Sequence, residues 1–417
     1  MNSEYVNKIF VGDVLEVLKT LPDELVDCII TSPPYWAQRD YGVEGQIGLE
    51  RTPEEYVEKL ATIFRETRRV LKKTGTLWLN LGDTYYGGGF GHGDDDTDEE
   101  FAEKYPKQAT NRGTASIEAR DKLNKIRSSR HPVLKPKDLV GIPWRVALAL
   151  QEDGWWLRQD IIWHKINAMP EPVKDRFVKS HEYIFLLSKS PDYYFDSYTV
   201  KEPYTEPLNR WGGDILVARG ESLRDASTGH NTYRNRNMRP DPRGRNRRDV
   251  WSIPTRPFHG AHFATFPEDL IEPMILAGCP EFVCKKCGKP RERMFCKKEN
   301  KGEEKPPSPK FANSLVSSAG DRAFYYTEQQ KTLVDDEGDK EEFCGWSDCG
   351  CGAGFMPGIV LDPFMGSGTV GLVARKLGRY YIGIELNPKY AEMARKRIEE
   401  WENSHRSLFD MSLFDNR

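Results

Sequence analysis

The sequence lacks the long apolar runs that membrane-spanning helices require. No apolar run reaches the roughly 18 residues that cross a bilayer, and the first residues, Met1 to Tyr5, do not form a secretory signal. These absences predict a cytoplasmic protein without a membrane partner. A chain of 417 residues has room for two or three structural units.

Cysteine is almost absent outside one segment, since seven of the eight cysteines lie between residues 279 and 351. In a chain without an export signal, such clustering favours a bound metal over disulfides. A Cys-x-x-Cys turn and a later Cys-x-Cys pair can form one tetrahedral set, with Cys344 as a competitor. We expect a structural zinc ion, because four protein ligands leave no position for water. The predicted ligands are Cys284, Cys287, Cys349 and Cys351.

A strong net charge is also missing. Sixty-one basic residues against 64 acidic ones give −3, which argues neither for nor against a nucleic-acid partner. The distribution is more informative, because residues 234–248 contain seven arginines and one acid, Asp241. Arginine makes paired hydrogen bonds to phosphates and to guanine edges, so we expect contacts with DNA. The predicted DNA-binding residues are Arg234, Arg236, Arg239, Arg243, Arg245, Arg247 and Arg248.

The stretch from Asp362 to Thr369 reads Asp-Pro-Phe-Met-Gly-Ser-Gly-Thr. It follows an apolar run and precedes residues at helical spacing, which predicts a strand, a glycine-rich turn and a helix. Such a turn lets the backbone approach a ligand, but the carboxylate of Asp362 would repel a phosphate and suits a cation. A second strand, residues 380–384, ends at Glu385, an acid placed to bind ribose hydroxyls. A cationic amino-acid end together with a ribose describes S-adenosylmethionine.

A second motif follows the apolar residues 26–30 and reads Thr-Ser-Pro-Pro-Tyr-Trp. Two successive prolines forbid a helix and hold the backbone extended. Because proline has no N–H, the carbonyls of Ser32 and Pro33 can point at a ligand. The aromatic pair, Tyr35 and Trp36, predicts a stacking platform.

The two motifs resemble those of the beta-class amino-directed DNA methyltransferases, which methylate the exocyclic amine of cytosine or adenine. In that family a Ser/Asp/Asn-Pro-Pro-aromatic tetrapeptide is catalytic, and an Asp-Pro-Phe-x-Gly-Ser-Gly-Thr segment binds the cofactor. The resemblance implies the catalytic residues Ser32, Pro33, Pro34 and Tyr35. It implies cofactor contacts from Asp13, Phe266, Asp362, Pro363, Phe364, Gly366, Ser367, Gly368, Thr369, Glu385 and Asn387.

The catalytic motif precedes the cofactor motif, which is the order of the beta class. Joined head to tail, the strands ending at Asp362, Glu385, Asp13 and Ser32 would run in sequence through one parallel sheet. We therefore expect an α/β fold of the Rossmann-like S-adenosylmethionine methyltransferase type, in circularly permuted order, with inserted loops and a small zinc-binding element.

The motifs also suggest a division of the chain. Residues 1–84 and 131–199 would form the catalytic half, with a mobile insertion at 85–130 between them. The remaining expected segments are a target-recognition region at 200–260, a cofactor-proximal segment at 261–283, a zinc-binding element at 284–352 with a disordered excursion at 297–343, a cofactor-binding half at 353–405 and a tail at 406–417.

The implied reaction is site-specific methylation of duplex DNA, in which a flipped-out base attacks the methyl group directly. The Ser32 side chain and the Pro33 carbonyl would accept hydrogen bonds from the amine, and Tyr35 would stack on the base. The absence of a Pro-Cys dipeptide argues against methylation at carbon 5 of cytosine. Serine at position 32 favours cytosine N4 over adenine N6, because the family uses serine more often for cytosine. We interpret His164 as a structural or pocket residue rather than as a base.

Other interpretations stay open at this point. A catalytically inactive zinc-containing DNA-binding protein is the alternative of another class, and enzymes acting on RNA or on protein amides carry similar tetrapeptides. The resemblance further implies a bacterial or phage-encoded protein associated with the nucleoid, a cognate restriction endonuclease as a partner, and a monomer or a homodimer.

Overall fold

The computed structural model describes residues 4–87, 117–203, 244–256, 266–297 and 341–405. The chain divides into two compact units. The first consists of residues 1–199, 248–291 and 349–417, and the second of residues 200–247 and 292–348. The predicted tail at 406–417 and four of the predicted DNA-binding residues, Arg234, Arg236, Arg239 and Arg243, lie outside the described residues.

The first unit is built on a mixed sheet with helices packed against it. Its strands are β1 (Lys8–Val11), β2 (Val26–Thr31), β3 (Leu71–Leu81), β4 (Trp156–His164), β5 (His181–Ser188), β6 (Val250–Ser252), β7 (Val283–Cys284), β10 (Phe355–Met356), β11 (Ile359–Asp362) and β12 (Tyr380–Glu385). Its helices are α1 (Val14–Thr20), α2 (Pro53–Val70), α3 (Ile117–Arg127), α4 (Ile142–Glu152), α5 (Glu268–Gly278), α6 (Thr369–Lys376) and α7 (Pro388–Ser404). Within the described residues, no helix combines the length and the apolar character needed to cross a membrane.

The main sheet of the described residues has the strand order β1-β12-β11-β2-β3-β5-β4-β6. The first five of these strands are parallel, and β5 runs antiparallel to both of its neighbours. The strands ending near Asp13, Glu385, Asp362 and Ser32 do share one parallel sheet, as predicted. They do not follow one another across the sheet in the predicted sequence. From β11 the sheet continues on one side to β12 and then β1, and on the other side to β2 and then β3.

This strand order places a crevice where the motifs lie. The direction of winding changes between β11 and β2, and ligands of open α/β sheets bind beyond the carboxyl ends of the strands at such a point. Every residue of β2 and of β11 is buried, so these two strands form a fixed base for the loops that follow them.

Helix α2 shows why the flanking layer forms where it does. Thr52 caps its first turn by accepting a hydrogen bond from the amide of Glu55 at 3.2 Å, and Pro53 occupies the first helical position. Tyr56, Leu60 and Phe64 recur at helical spacing and are buried. The helix ends at Val70, because β3 begins at Leu71.

Two predicted irregular segments contain regular structure. Residues 117–127 form α3, although they lie inside the predicted mobile insertion at 85–130. Lys297 and residues 341–343, the ends of the predicted disordered excursion, belong to strands of the second unit.

The second unit contains an antiparallel pair of strands, β8 (Arg293–Lys297) and β9 (Glu341–Trp346). A disulfide joins Cys296 of β8 to Cys344 of β9. The expectation that the clustered cysteines favour a metal over disulfides is therefore wrong for this pair, and so is the idea that Cys344 competes for the metal. The two strands face each other, which brings their cysteines close together irrespective of their sequence separation.

Candidate active site

A cavity lies in the first unit at the carboxyl ends of the parallel strands. Its wall includes Ser32 and Pro34 from the loop after β2 and residues from the loops after β1, β11 and β12. The predicted cofactor residues on the wall are Asp13, Phe266, Pro363, Phe364, Gly366, Ser367, Thr369, Glu385 and Asn387. Asp362, Gly368, Pro33 and Tyr35 do not line this cavity.

The glycine-rich turn after β11 depends on backbone conformations that favour glycine. Gly366 and Gly368 have φ angles of 51° and 80°. A Cβ atom on Gly368 would lie 2.7 Å from the Cβ of Ala394 in α7, so this position is also closed to larger residues by packing. Gly368 precedes the first turn of α6, and the turn therefore directs the start of the helix towards the cavity.

Glu385, at the end of β12, is held in a fixed orientation. One carboxylate oxygen accepts a hydrogen bond from the amide of Gly366 at 2.8 Å, and the other accepts one from the amide of Asn387 at 2.8 Å. Burial raises the pKa of Glu385, although these amide bonds oppose the rise. Each oxygen keeps a second lone pair, so the oriented carboxylate can still accept hydrogen bonds from a ligand hydroxyl.

Asp362 connects the two predicted motifs instead of facing the cavity. Its side chain is almost fully buried, and its Oδ1 accepts hydrogen bonds from Thr31 Oγ1 at 2.7 Å and from the amide of Phe364 at 3.0 Å. Burial raises the pKa of Asp362 to about 7. The carboxyl group thus fixes the end of β2 next to the end of β11, across 331 positions of sequence.

Asp13 also lines the cavity, immediately before α1. Its Oδ1 accepts hydrogen bonds from the amides of Leu15 at 2.9 Å and Glu16 at 3.2 Å, which caps α1. The second carboxylate oxygen, Oδ2, takes no part in these two bonds. The side chain therefore lines the cavity in an orientation set by the helix.

The loop after β2 is supported from outside the motif. Ser32 Oγ donates to Tyr35 Oη at 3.2 Å, and Tyr35 Oη donates to Glu182 Oε2 at 2.9 Å. The Asn80 Oδ1 atom lies 3.1 Å from the same hydroxyl. Tyr56 Oη donates to the Pro34 carbonyl at 2.9 Å.

Three of these supporting residues were not predicted as site residues. Glu182 and Asn80 lie 147 and 45 positions from Tyr35, and nothing in the sequence pairs them with it. The spacing of Tyr56 fits the apolar face of α2, and this spacing does not reveal that the hydroxyl supports the loop after β2. The predicted aromatic platform is wrong for Trp36, which is buried and donates to the Glu50 carbonyl at 3.0 Å.

Four cysteines of the first unit come together in a second cluster. The Sγ atoms of Cys284, Cys287, Cys349 and Cys351 all lie within 4.8 Å of one another. Two of these residues belong to, or follow, β7, and two precede β10, and these short strands pair with each other. The residues are the predicted set without Cys344.

Two other predictions concern residues away from the cavity. His164 Nδ1 lies 3.1 Å from Ser252 Oγ between β4 and β6, which agrees with a structural interpretation. In the second unit, Arg245 forms an ion pair with Glu202 at 3.3 Å and exchanges two backbone hydrogen bonds with it at 2.9 Å. The Arg245 side chain is thus engaged within the protein.

The chain is similar to known proteins over most of its length. Residues 26–282 and 355–396 match the profile of the N6_N4_Mtase family, described as DNA methylase. The type II methyltransferase M.Cfr9I of Citrobacter freundii is 38% identical over 94% of this chain and 87% of its own length. The type II methyltransferase M.SmaI of Serratia marcescens is 36% identical over 94% of this chain and 90% of its own length.

Solved structures are more distant. The PvuII DNA methyltransferase (cytosine-N4-specific) is 15% identical, with a TM-score of 0.46 over 95% of this chain and 90% of that one. The family profile covers both motifs that form the cavity wall, and the two relatives match nearly the whole chain. The chain therefore belongs to the N6/N4 DNA methylase family.

Proposed function

We propose that the protein transfers a methyl group from S-adenosylmethionine to the exocyclic N4 amine of cytosine at a defined site in duplex DNA. The observation that carries this proposal is the bond between Thr31 and Asp362 at 2.7 Å, which holds the Ser32 loop beside the glycine-rich turn. One cavity wall thereby includes Ser32, Gly366 and Glu385. A methyl donor and an acceptor amine can meet only where such loops share a site.

The residues of the cavity suit S-adenosylmethionine. The oriented carboxylate of Glu385 can accept hydrogen bonds from ribose hydroxyls, and Asp13 and Phe266 offer a polar and an aromatic contact along the same wall. The turn from Pro363 to Thr369 brings backbone close to the amino-acid end. When bound, the cofactor supplies an electrophilic methyl group on a sulfonium.

Ser32 and Pro33 would activate the target amine. The lone pair of an exocyclic amine is delocalised into the base, so the nitrogen is a weak nucleophile. Hydrogen bonds from the amine to the Ser32 hydroxyl and the Pro33 carbonyl strengthen as positive charge develops on nitrogen, which stabilises the transition state more than the ground state. The base has to leave the duplex to reach this position.

The choice of cytosine rests on Ser32, since the family uses serine in this motif more often for cytosine. Adenine N6 is the second candidate, because aspartate or serine can accept the same hydrogen bond. The relatives M.Cfr9I and M.SmaI are type II methyltransferases, which supports a defined recognition site and a cognate restriction endonuclease.

The decisive experiment uses the full chain, tritiated S-adenosylmethionine and unmethylated DNA, followed by digestion to nucleosides and chromatography. We expect label in N4-methyldeoxycytidine. Label only in N6-methyldeoxyadenosine would contradict the cytosine assignment and leave the enzyme class intact. No labelled nucleoside, together with no heat on titration with S-adenosylmethionine, would favour a protein that binds DNA without catalysis.

We also propose that the four cysteines of the second cluster hold a structural zinc ion. Tetrahedral zinc with Zn–S bonds of about 2.3 Å requires sulfurs about 3.8 Å apart, which fits thiols that all lie within 4.8 Å. The amides of Cys287 and Lys286 lower the pKa of the Cys284 thiol to about 6, so one thiolate is already favoured. Elemental analysis of the purified protein should give about one zinc per chain, and its absence would contradict the assignment.

The strand order supports the proposed permutation. Counted from β11 through β12, β1, β2 and β3, with the chain ends joined, the parallel strands have the spatial order 3-2-1-4-5. This is the doubly wound order of Rossmann-like folds. The chain would thus enter such a fold at its third strand instead of its first.

A further inference from the structure

Hydrogen bonds from the predicted catalytic serine lead away from the cavity and end at a carboxylate. Ser32 Oγ donates to Tyr35 Oη at 3.2 Å, and Tyr35 Oη donates to Glu182 Oε2 at 2.9 Å. Ser32 lies on the cavity wall, whereas Tyr35 and Glu182 do not. The lone pairs of Ser32 Oγ therefore remain available on the side where the amine would bind.

The direction of this chain follows from the number of protons. Tyr35 has one hydroxyl proton, and its two acceptors are Glu182 at 2.9 Å and Asn80 Oδ1 at 3.1 Å. Asn80 Nδ2 donates to the Tyr183 carbonyl at 3.1 Å, which fixes Oδ1 towards Tyr35. A charged acceptor forms the stronger bond, so the proton favours Glu182. Burial and the nearby Glu182 charge raise the pKa of Tyr35 well above its ordinary value, and the phenol keeps its proton.

Glu182 lies where a proton that arrives through Tyr35 can leave the protein. Lys165 Nζ donates to Glu182 Oε1, and the side chain of Glu182 is 16% exposed. Lys179 and His181 also interact with it electrostatically. The Glu182 Oε2 atom that faces Tyr35 can therefore accept a proton, and the exposed part of the side chain can release it to solvent.

We propose that Ser32, Tyr35 and Glu182 form a relay that removes the proton from the target amine, a step that rests on the function proposed above. The nitrogen becomes cationic when its bond to the methyl carbon forms. Its N–H bond then breaks towards Ser32 Oγ, the Ser32 proton passes to Tyr35 Oη, and the Tyr35 proton passes to Glu182 Oε2. The products are a neutral methylated amine and a protonated Glu182, with Ser32 and Tyr35 unchanged. Glu182 acts through Tyr35 and does not touch the base.

The relay also acts before the proton moves. A hydroxyl that donates along a chain ending in a carboxylate is a stronger acceptor than an isolated hydroxyl. Ser32 therefore holds the amine more tightly as positive charge develops on its nitrogen. This differential binding predicts a role in kcat and little role in cofactor affinity.

The test compares single-turnover methylation of unmethylated DNA by the wild-type protein, Glu182→Gln, Tyr35→Phe and the double variant at pH 8, in water and in D2O. The glutamine keeps an acceptor for Tyr35 but cannot take a proton. We expect each single variant to lose on the order of 100-fold in rate at pH 8. The double variant should be no slower than the slower single variant, because both changes break one relay.

The solvent isotope effect separates a relay from a support. Because the relay moves exchangeable protons, wild-type single-turnover methylation should be slower in D2O than in water, and Glu182→Gln should lose most of this difference. Affinity for S-adenosylmethionine, measured by calorimetry, should stay within about twofold, which corresponds to less than about 0.5 kcal/mol.

Two matched variants control for the loss of a carboxylate and of a phenol. Asp153, with a side chain 18% exposed and an ion pair to Arg65 at 2.7 Å, is changed to Asn. Tyr86, buried and bonded to the Ser129 carbonyl, is changed to Phe. Both should keep the wild-type rate and isotope effect. An unchanged solvent isotope effect in an active Glu182→Gln protein would overturn the relay alone, whereas a wild-type protein that methylates no DNA would overturn the proposed function and the relay together.

Discussion

Asp362 carries a carboxyl group in a place where its ionised form is disfavoured. Burial raises its pKa from 3.8 to about 7, so between these values the folded protein holds a proton that the unfolded chain has released. Asp362 therefore contributes its full share to the free energy of unfolding at low pH, and this contribution falls as the pH rises through about 4 to 7. At about 1.4 kcal/mol per pKa unit, the loss amounts to no more than about 4 kcal/mol.

The first prediction is that Asp362→Asn stabilises the cofactor-free protein at pH 8. Asparagine can still accept the bonds from Thr31 and Phe364 through its Oδ1 atom, but it has no charge to bury. Urea unfolding at pH 8 should show a higher midpoint for the variant, and the difference should shrink towards pH 4. A variant less stable than wild type at both pH values would show that the carboxyl group itself is required.

The second prediction concerns Ser32, which lies on the cavity wall and begins the proposed relay. Ser32→Ala removes the hydroxyl that would accept a hydrogen bond from the amine. We expect methylation to fall by about 100- to 1,000-fold, the usual effect of removing one preorganised group at a site of developing charge. Calorimetry should show nearly unchanged affinity for S-adenosylmethionine, because Glu385 and the glycine-rich turn remain. An active alanine variant would leave the tetrapeptide without its proposed role.

At the residue scale, the sequence predicted the groups that belong to short motifs and missed those that approach from elsewhere. Ser32, Glu385 and the four clustered cysteines are recognisable because a local pattern surrounds each of them. Glu182 has no such pattern, since it meets Tyr35 only when β5 aligns beside β3. Trp36 was misread for the same reason, because its burial depends on partners outside the motif.

At the scale of elements, the long amphipathic or continuously apolar segments were predicted well. Strands β2 and β12 lie within one residue of the apolar stretches 26–30 and 380–384 that predicted them. The three residues of β6 are too few for a periodic pattern, and α3 has only a weakly apolar face in a polar segment. Strands β8 and β9 are fixed by each other across a gap of 43 residues, 298–340, that no local pattern can bridge.

The third prediction concerns the paired strands β7 and β10, because the four clustered cysteines lie in β7 or close to these two strands. Strand β11, with Asp362 at its end, begins three residues after β10, so the metal would fix the entry to the cofactor strand. Cys287→Ser removes a ligand whose side chain is exposed and should lose little packing. We expect the melting temperature to fall on the order of 5 °C, as for a loss of about 2 kcal/mol in a domain of this size.

The neighbouring change Lys286→Ala is the control, because it alters an exposed residue of the same turn that has no thiol. It should retain the zinc and the melting temperature of the wild-type protein. A chelator should lower the melting temperature of the wild-type and Lys286→Ala proteins and have no further effect on Cys287→Ser. Full zinc content in Cys287→Ser would remove this residue from the ligand set.

At the scale of the whole molecule, the small net charge is the sum of a strongly basic segment and an acidic remainder. Residues 234–248 carry seven arginines and one aspartate, a net charge of +6. Because the whole chain has −3, all remaining residues together have −9. A protein with this balance would be repelled by DNA over most of its length, so affinity would have to come from a restricted basic segment.

The fourth prediction tests that segment without disturbing the ion pair of Arg245 with Glu202. DNA affinity at low salt should fall when four positive charges are removed, and the slope of log K against log salt should decrease by up to about 3.6, since each phosphate contact contributes about 0.9. Titration with S-adenosylmethionine should be unchanged, because the predicted cofactor contacts come from other residues. The residues replaced by Gln are Arg234, Arg236, Arg239 and Arg243.

A variant of equal charge separates the contribution of this segment from that of total charge. It carries Gln in place of four lysines outside the segment, namely Lys59, Lys125, Lys376 and Lys396. Because counterions are released only where basic side chains meet phosphates, we expect this variant to keep most of the wild-type salt slope. If it loses as much of the slope as the arginine variant, DNA binding depends on total charge and the segment has no special role.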